Sequence, residues 1–376
     1  MTQWINERLQ RSEGIRTTMN IFCIRPIGFN VGNDAIYLGL QAALEEGFGR
    51  LVNLITLPAT SKYESQGRSG LTSKTVHEIN QYGHGVIIGG GNLYENGELD
   101  LDLGALGKLE PPLMLFSLSR GRIYNHLDRL VDRTDVMADS HIKALNQKAL
   151  ISLARDAATF NYLRQLGITG VRLGGCPTIF LDRIEGQLPA VRLADQGCTL
   201  ISVRNPSLMN ISLRRQMRIH EQVIGIIELL QSKGHKDIRL LCHDHRDISF
   251  AASIGDIPYD YISNPHAYLA LLKNACLNVT YRVHSALPCM AFRTPFIKLS
   301  YDERAISLME TVGFGEWNVD IVRSPNVVLD VADKLDRLSQ IDETRNQSCA
   351  TWNELKKVQD GALAEFSEAV KAYISH

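Results

Sequence analysis

The segment 280–286, which reads Thr-Tyr-Arg-Val-His-Ser-Ala, holds the residues best suited to chemistry in this sequence. It comes where a predicted strand ends and a helix begins, so Arg282 and His284 could both face a cleft with the helix N-terminus behind them. A guanidinium and a helix N-terminus bind anions, and an imidazole gives and takes protons near neutral pH. The segment therefore predicts an anion site with a proton carrier, and the alternative is a capping loop with a structural histidine.

Two further polar segments follow predicted strands in the second half of the chain. Arg204 comes after the strand 199–203, where a guanidinium suits phosphate or carboxylate, although a surface salt bridge would also explain it. His243 and His245 follow the strand 238–242 in a His-x-His pattern that needs a third ligand from elsewhere to hold a metal. A polar loop that faces a ligand is the favoured interpretation, so no metal site is predicted.

A glycine- and asparagine-rich loop follows the first predicted strand, 19–24, and precedes a predicted helix at 35–44. It contains Asn30, Asn33 and Asp34, whose side chains pair well with sugar hydroxyls. A loop with a helix N-cap would explain the same residues equally well. The GxGxxG fingerprint of dinucleotide-binding domains is not present here. We predict contacts from this loop to a hydroxyl-rich ligand.

The next strand, 85–88, runs directly into three consecutive glycines. Gly89, Gly90 and Gly91 carry a high conformational-entropy cost, which a close approach of backbone to ligand would explain. A tight turn between strand and helix is the alternative. We predict that these glycines, together with Asn92, line the same ligand site as the first loop.

These segments need a scaffold that brings strand ends together, and the sequence predicts one. Short apolar runs alternate with stretches of helical period, which is typical of parallel sheets connected by helices. The pattern is interrupted at residues 186–197 and then restarts. We predict an α/β protein of two Rossmann-like domains that face each other across a cleft. The predicted divisions are a polar extension (1–18), an N-terminal domain (19–188), a C-terminal domain (189–345) and a long C-terminal helix (346–376).

Length and composition exclude several classes of protein. The 376 residues include 40 Lys and Arg against 41 Asp and Glu, so the chain lacks the basic excess that nucleic-acid partners require. No apolar run approaches the roughly 18 residues of a membrane span, and residues 1–18 lack the apolar core of a secretory signal. The 7 cysteines contain no Cys-x-x-Cys pair, which argues against a disulfide framework and a zinc ribbon. We expect a cytoplasmic protein, with peripheral association at the inner face of the membrane left open.

Taken in order, these segments resemble those of the polysaccharide pyruvyl transferase family. The resemblance is carried by residues 30–36, the triple glycine, the Ala-Arg-Asp at 154–156, the segment 281–284, and its continuations at 291–297 and 300–304. Order and spacing match from about residue 19 to residue 315. The resemblance implies a fold like that of the GT-B glycosyltransferases. It also implies transfer of the pyruvyl group of phosphoenolpyruvate onto two hydroxyls of a glycan sugar as a ketal, in cell-surface or exopolysaccharide biosynthesis.

The same resemblance implies roles for individual residues. Arg204 and Arg282 would hold the phosphate and carboxylate of phosphoenolpyruvate, and His284 would be the general acid and base. Arg304 stands where the family usually has a lysine, and we place it in the donor site with His243. The asparagines and glycines of the first half would contact the acceptor, a glycan or a lipid-linked oligosaccharide. Neither a cofactor nor a metal is expected.

Two other hypotheses are compatible with the sequence. A GT-B glycosyltransferase with a nucleotide-sugar donor would share the two-domain architecture and could use Glu303 or Glu310 to bind the ribose. A non-catalytic glycan-binding protein could have kept the fold, although the pair Arg282 and His284 argues against it.

Overall fold

The computed structural model describes residues 18–48, 52–63 and 68–375. Within those ranges the chain forms two six-stranded sheets, all of whose strand pairs are parallel, and a separate two-stranded antiparallel hairpin. The predicted polar extension at 1–18 lies, except for its last residue, outside the described residues. None of the helices within these ranges combines the length and apolarity needed to cross a bilayer.

The N-terminal sheet is built from strands that alternate with helices. Its strands and the hairpin are β1 (Met19–Arg25), β2 (Val52–Pro58), β3 (Gly85–Gly91), β4 (Leu113–Leu118), β5 (Ile123–Tyr124), β6 (Leu130–Val131), β7 (Ile151–Ala154) and β8 (Val171–Leu173). The helices are α1 (Val31–Phe48), α2 (Ser73–Tyr82), α3 (Leu103–Gly107), α4 (Asp139–Lys148) and α5 (Ala157–Gln165). The spatial order is β2-β1-β3-β4-β7-β8. Strands β3, β4 and β7 are buried along their whole length, which explains their continuous apolar sequence.

The second sheet follows after a 3₁₀-helical connection, Pro177–Gln187. Its strands are β9 (Thr199–Val203), β10 (Ile238–Cys242), β11 (Tyr259–Tyr261), β12 (Leu277–Thr280), β13 (Phe296–Ser300) and β14 (Asn318–Asp320). The helices are α6 (Leu213–Gln216), α7 (Ile219–Ser232), α8 (Ile248–Ala252), α9 (Pro265–Asn274), α10 (Val283–Ala291), α11 (Glu303–Thr311) and α12 (Val327–Asp336). The spatial order is β11-β10-β9-β12-β13-β14. The predicted division at residues 188 and 189 falls between the two sheets.

A long last helix, α13 (Ile341–Ile374), joins the two domains. The helix begins at Ile341, whereas the sequence predicted a start at residue 346. Its first half packs on the second domain, where Trp352 stacks on Phe314 with 5.7 Å between ring centroids. Its second half returns to the N-terminal sheet through Ala362, Leu363, Phe366 and Val370. The helix therefore buries apolar surface on both domains.

The hairpin formed by β5 and β6 also connects the domains. Tyr124 lies in the hydrophobic core of the second domain, and its hydroxyl contacts the Asp320 carboxylate. Beside it, the Arg122 Nε donates to Glu303 Oε1 at 2.8 Å, and the Arg122 backbone N–H donates to Glu303 Oε2 at 2.8 Å. These contacts fix how the carboxyl ends of the two sheets face each other.

Candidate active site

The carboxyl ends of both sheets meet at a cleft that contains two adjoining pockets. The deep pocket has a volume of about 180 Å³ and lies against the start of α10. The outer pocket, of about 350 Å³, extends from it along the mouth of the cleft. The residues that line both are Asn30, Asn33, Asn92, Arg204, Tyr301 and Arg304. Ligands of open α/β sheets bind at this edge, so the cleft is the candidate site.

Arginines from both domains line the deep pocket. We call them the arginine cluster: Arg155, Arg204, Arg282 and Arg304. Each lies within one to four residues of the end of a strand, because β7, β9, β12 and β13 all end at this edge. Arg155 and Arg282 are buried, with 4% and 7% of their surface exposed. Such a concentration of guanidinium groups in a partly enclosed pocket is suited to an anion with more than one negative charge.

Carboxylates behind the pocket hold two of these arginines in place. Arg204 Nη1 lies 3.5 Å from both Asp244 Oδ2 and Asp247 Oδ1, and Arg282 Nη1 lies 3.7 Å from Asp247 Oδ2. The Nε and Nη1 atoms of Arg204 are buried and have no hydrogen-bond partner among the described residues. Burial, followed by the charge of Arg282, lowers the pKa of Arg204. Both effects favour the binding of an anion, which would supply hydrogen bonds and offset the repulsion.

His284 lies in the first turn of α10, at the wall of the deep pocket. The Tyr268 hydroxyl donates to the His284 carbonyl at 2.6 Å, which holds this turn in place. The Nε2 atom is buried and has no hydrogen-bond partner among the described residues. Burial, and then the charges of Arg155 and Arg282, hold the pKa of His284 well below its usual value. A lowered pKa favours the neutral form of the imidazole.

Space for this histidine is left by a glycine of the other domain. A Cβ atom on Gly32, in the first turn of α1, would lie 2.8 Å from His284 Cβ and 3.2 Å from His284 Nδ1. The Asn30 side chain accepts from the Gly32 backbone N–H at 3.0 Å, and the Val31 N–H donates to the His243 carbonyl at 3.1 Å. The start of α1 therefore packs directly on the two histidine segments of the second domain.

Arg304 bridges the two domains at the wall of the pocket. Its Nη1 donates to Glu95 Oε2 at 3.0 Å, and its Nη2 donates to Asp302 Oδ2 at 2.5 Å. Asp302 also caps α11 by accepting from the Ala305 N–H at 3.0 Å. Of the predicted donor-site residues, Arg304 is thus the one whose guanidinium is most engaged with carboxylates of the protein.

His243 lines the deep pocket but is fully buried. Its ring makes an edge contact with Tyr268, and the Tyr268 hydroxyl lies 3.2 Å from His243 Nε2. Burial, with the charges of Arg282 and His284, holds the pKa of His243 well below its usual value. His245 points elsewhere and contacts Phe29 at the cleft mouth. Within the described ranges no three His, Cys, Asp or Glu side chains are placed to hold a metal ion.

A comparison with models of protein families tests the resemblance that the sequence suggested. The model described as polysaccharide pyruvyl transferase matches residues 30–303, which include every residue of the arginine cluster except Arg304. The chain belongs to this family. No curated protein matches the chain at a significant level.

Solved structures with this fold are distant in sequence. A Listeria monocytogenes protein provisionally assigned as a UDP-N-acetylglucosamine 2-epimerase superposes with a TM-score of 0.58 at 13% identity, covering 96% of this chain and 97% of its own. S. aureus MnaA in a co-structure with UDP gives 0.54 at 12% identity, covering 89% and 91%. The UDP-GlcNAc 2-epimerase of Methanocaldococcus jannaschii, in complex with UDP-GlcNAc and UDP, gives 0.51 at 13% identity, covering 86% and 92%. These likenesses confirm the predicted GT-B-type fold.

The N-terminal domain of this pyruvyl transferase family member contributes uncharged polar residues to the cleft as well as Arg155. Asn30, Asn33 and Asn92 line both pockets, and Gly91 lines the deep one. The structure therefore brings these four residues, predicted from sequence to contact the acceptor, to the same wall. Their amide groups can donate to and accept from sugar hydroxyls.

The other three residues predicted for this wall line neither pocket. Asp34 pairs with Arg25, with 2.8 Å between Oδ1 and Nη1. Gly89 and Gly90 belong to β3, and a Cβ atom on Gly90 would lie 2.3 Å from Ile36 Cγ2 of α1. Gly90 also has φ +70°, which favours glycine. Packing of α1 on the sheet, rather than a ligand, therefore accounts for these two glycines.

Sequence reasoning assigned no role to several residues of the cleft. Arg155 is the clearest, because it follows β7 directly and the same strand-end argument that identified Arg204 applies to it. Tyr301 follows β13 and lines both pockets. Asn96, Ser207 and Asn210 line the outer pocket. They lie outside the strands and α-helices, so the periodicity of apolar residues in the sequence does not identify them.

Proposed function

We propose that this protein transfers the pyruvyl group of phosphoenolpyruvate to two hydroxyls of one glycan sugar as a ketal, with release of phosphate. The convergence of the arginine cluster and His284 in one deep pocket is the observation that supports this proposal most. Phosphoenolpyruvate carries a phosphate and a carboxylate on a small frame, and guanidinium groups bind both through paired hydrogen bonds. Membership of the pyruvyl transferase family supports the transfer of a pyruvyl group.

Arg204 and Arg282 are the proposed ligands of the donor. Both pair with Asp247 and both line the deep pocket, and the Nε and Nη1 atoms of Arg204 make no hydrogen bond to the described residues. Arg155 adds a third guanidinium from the N-terminal domain. Binding of the donor would relieve the mutual repulsion of these cations, so part of the binding free energy comes from the empty site being unfavourable.

His284 is the proposed general acid and base. In the empty pocket its low pKa keeps the imidazole neutral, whereas the negative charges of the donor raise that pKa and allow a proton to be held. The imidazolium would donate this proton to C3 of phosphoenolpyruvate, converting the methylene to a methyl group and leaving C2 electron-deficient. The arginines that hold phosphate and carboxylate keep C2 in reach.

The acceptor completes the reaction through two hydroxyl groups. One hydroxyl attacks C2 and gives its proton to the neutral His284, the C2–O bond to phosphate breaks, and a second hydroxyl of the same sugar closes the ketal. The second hydroxyl proton leaves with phosphate, so the sum is one phosphoenolpyruvate and one diol giving one ketal and one phosphate. The asparagines shared by both pockets are the proposed contacts to the acceptor. This acceptor is a glycan or lipid-linked oligosaccharide of cell-surface or exopolysaccharide biosynthesis, met in the cytoplasm or at the inner face of the membrane.

The second candidate function is transfer from a nucleotide sugar, because solved proteins with this fold have UDP or UDP-GlcNAc bound. The two glutamates that could bind a ribose in such an enzyme, Glu303 and Glu310, do not support this second function. Glu303 binds Arg122 across the domains, and neither Glu303 nor Glu310 lines either pocket. A thermal shift assay separates the two functions: the proposed one predicts stabilisation by phosphoenolpyruvate, and the second predicts stabilisation by a nucleoside diphosphate alone.

The direct test is incubation with phosphoenolpyruvate and a panel of α- and β-linked galactose, glucose and mannosamine acceptors. Phosphate release and a gain of one pyruvyl group in the acceptor mass are expected with at least one member, and both should be lost in His284→Ala. Phosphate release without a mass gain would indicate hydrolysis, and stabilisation by nucleoside diphosphates with none by phosphoenolpyruvate would refute the proposal.

A further inference from the structure

Three highly exposed apolar side chains come from two segments that contact each other, the tip of the β5–β6 hairpin and the short helix α6. Leu127 at the hairpin tip is 59% exposed, and Leu213 and Met217 are 72% and 73% exposed. Leu213 and Met217 are four residues apart, a spacing that places two side chains on one face of a helical turn. Apolar side chains that are exposed together, unlike single ones, mark a surface that binds something.

The hairpin tip is held both in itself and against α6. The Asn125 side chain accepts from the Leu127 N–H at 2.9 Å and from the Arg129 N–H at 3.1 Å, which fixes the turn. Asp128 Oδ2 accepts from Arg214 Nη2 of α6 at 2.9 Å. The exposed leucine is therefore presented by a turn whose backbone is fixed by hydrogen bonds.

Helix α6 is also held close to the wall of the outer pocket. Gln216 Nε2 donates to the Met209 and Ile211 carbonyls, at 3.1 Å each. Three of the four residues in the segment 207–210 line the outer pocket. Leu213 comes three residues after this segment, so its Cα atom lies within about 11 Å of the end of the segment. The exposed apolar side chains therefore lie beside the mouth of the cleft.

The charge around these side chains is positive. Residues 125–131 and 212–218 contain four arginines and one aspartate, in a chain whose 40 Lys and Arg are balanced by 41 Asp and Glu. Arg129 and Arg218 are exposed and form no ion pair with the described part of the chain. Apolar side chains among arginines fit the surface of an anionic bilayer, where the apolar groups enter the headgroup boundary and the cations are attracted by lipid phosphates.

A bilayer fits these features better than a second copy of the chain does. In a two-fold dimer the same surface would face itself and bring the arginines of both copies together. The nearest exposed acids in the sequence are Asp132 and Glu221, and Asp132 already pairs with Arg120. Side chains that are largely exposed also project from the surface, as insertion into a bilayer requires.

We propose that this surface attaches the protein to an anionic lipid bilayer, with the mouth of the cleft close to the headgroups. We call it the docking patch: Leu127, Arg129, Leu213, Arg214, Met217 and Arg218. Attachment stands on the patch alone. Its consequence, that the outer pocket meets the sugar of a lipid-linked acceptor at the bilayer surface, rests on the proposed function.

The test is flotation of the full chain with vesicles of equal parts phosphatidylglycerol and phosphatidylcholine. Wild type should bind these vesicles. In Leu127→Ser/Leu213→Ser the partition coefficient should fall by about tenfold or more, because two apolar side chains no longer enter the bilayer. The matched control is Leu193→Ser/Leu329→Ser, which removes two exposed leucines outside the patch and should bind as wild type does.

A second pair of variants tests the contribution of charge. Arg129→Gln/Arg218→Gln should lower binding to the mixed vesicles by roughly fivefold per arginine, the effect of one cation near an anionic lipid surface. Lys148→Gln/Lys236→Gln is the control, because these exposed lysines precede β7 and β10 and so lie at the sheet edges away from the cleft. Wild type should bind vesicles of phosphatidylcholine alone more weakly than the mixed ones.

Three outcomes would overturn the proposal. The first is wild type that binds neither kind of vesicle, and the second is an equal loss of binding in Leu127→Ser/Leu213→Ser and in its control. The third is a wild-type dimer that becomes a monomer in the same variant in sedimentation velocity, which would assign the patch to a second copy. If that variant does not fold, Leu213→Gln/Met217→Gln repeats the test.

Vesicle binding needs no substrate, so its outcome is separate from that of the proposed function. Phosphate release from phosphoenolpyruvate with a soluble acceptor should be the same in Leu127→Ser/Leu213→Ser as in wild type, because neither leucine lines a pocket. Absence of turnover in both proteins would refute the proposed function and leave the vesicle result standing.

Discussion

Replacing Gly32 by alanine should impair the reaction without unfolding the protein. The new Cβ atom would lie 2.8 Å from His284 Cβ, about 0.6 Å short of the 3.4 Å at which ordinary contact begins. Gly32 lies in α1, so alanine is acceptable to the backbone, and His284 is the group that must move. Because a misplacement of about 1 Å at a reacting group can cost roughly 10²-fold in rate, we expect kcat to fall by about 10- to 100-fold.

The Gly32→Ala protein should remain folded under the conditions of the activity assay. Alanine gains up to about 1 kcal/mol over glycine in a helix, and overpacking costs about 1–3 kcal/mol, so the net destabilisation is at most about 3 kcal/mol. The assay is phosphate release at saturating donor and acceptor, with thermal unfolding and calorimetry of phosphoenolpyruvate binding alongside. Affinity for phosphoenolpyruvate should stay within about threefold of wild type, since the arginine cluster is not displaced.

A matched control is available in the same chain. Gly361 is an exposed helical glycine whose added Cβ atom would meet nothing within 4 Å, so Gly361→Ala should retain full activity. If the Gly32→Ala enzyme released phosphate as fast as the Gly361→Ala enzyme, the position of His284 against α1 would not affect the rate of the reaction. That result would refute the argument that His284 acts as the acid and base because of where it is placed.

Three other changes test the site and one tests the fold. His284→Ala should lower kcat by about 10²–10⁴-fold with little change in thermal stability, measured by phosphate release. Arg204→Ala and Arg282→Ala should each weaken phosphoenolpyruvate binding by about 10- to 100-fold in calorimetry, since a charged hydrogen bond contributes about 1.5–3 kcal/mol; unchanged affinity would exclude both as donor ligands. Phosphoenolpyruvate should raise the low pKa of His284, so binding near pH 7 should take up more protons in wild type than in His284→Ala, as shown by calorimetry in buffers of different ionisation enthalpy. Phe366→Ala should cost about 3–5 kcal/mol in denaturant unfolding, because its ring is fully buried between α13 and the first sheet.

The strands could be predicted from sequence better than the helices. The bounds predicted for β9 and β10 agree with the structure to the residue, because a strand buried on both faces is a short apolar run with clear ends. Residues 212–233 carry a helical period, yet the structure has two helices there, α6 and α7, interrupted at residues 217–218. The helical period continues across that break, so periodicity alone could not reveal it.

The predicted site residues were found by position rather than by motif. Arg204, Arg282 and His284 follow strands, and parallel strands end at one edge of a sheet, so their convergence could be predicted. Gly90 could not be interpreted in this way. The reason for this glycine is Ile36, which is far away in sequence and packs on it only when α1 lies on the sheet. Which neighbour buries a residue is a property of the tertiary structure, and one sequence does not contain it.

The near-zero net charge of the chain conceals a separation of charge at the site. Each arginine of the cluster is paired with at least one carboxylate of the protein: Asp156 for Arg155, Asp244 and Asp247 for Arg204, Asp247 for Arg282, and Glu95 and Asp302 for Arg304. These carboxylates allow several guanidinium groups to share one pocket in the empty protein, because their negative charges partly offset the repulsion between the guanidinium groups. The net charge of the whole chain therefore does not describe the pocket, where four guanidinium groups lie close to one another and are partly balanced by carboxylates of the same two domains.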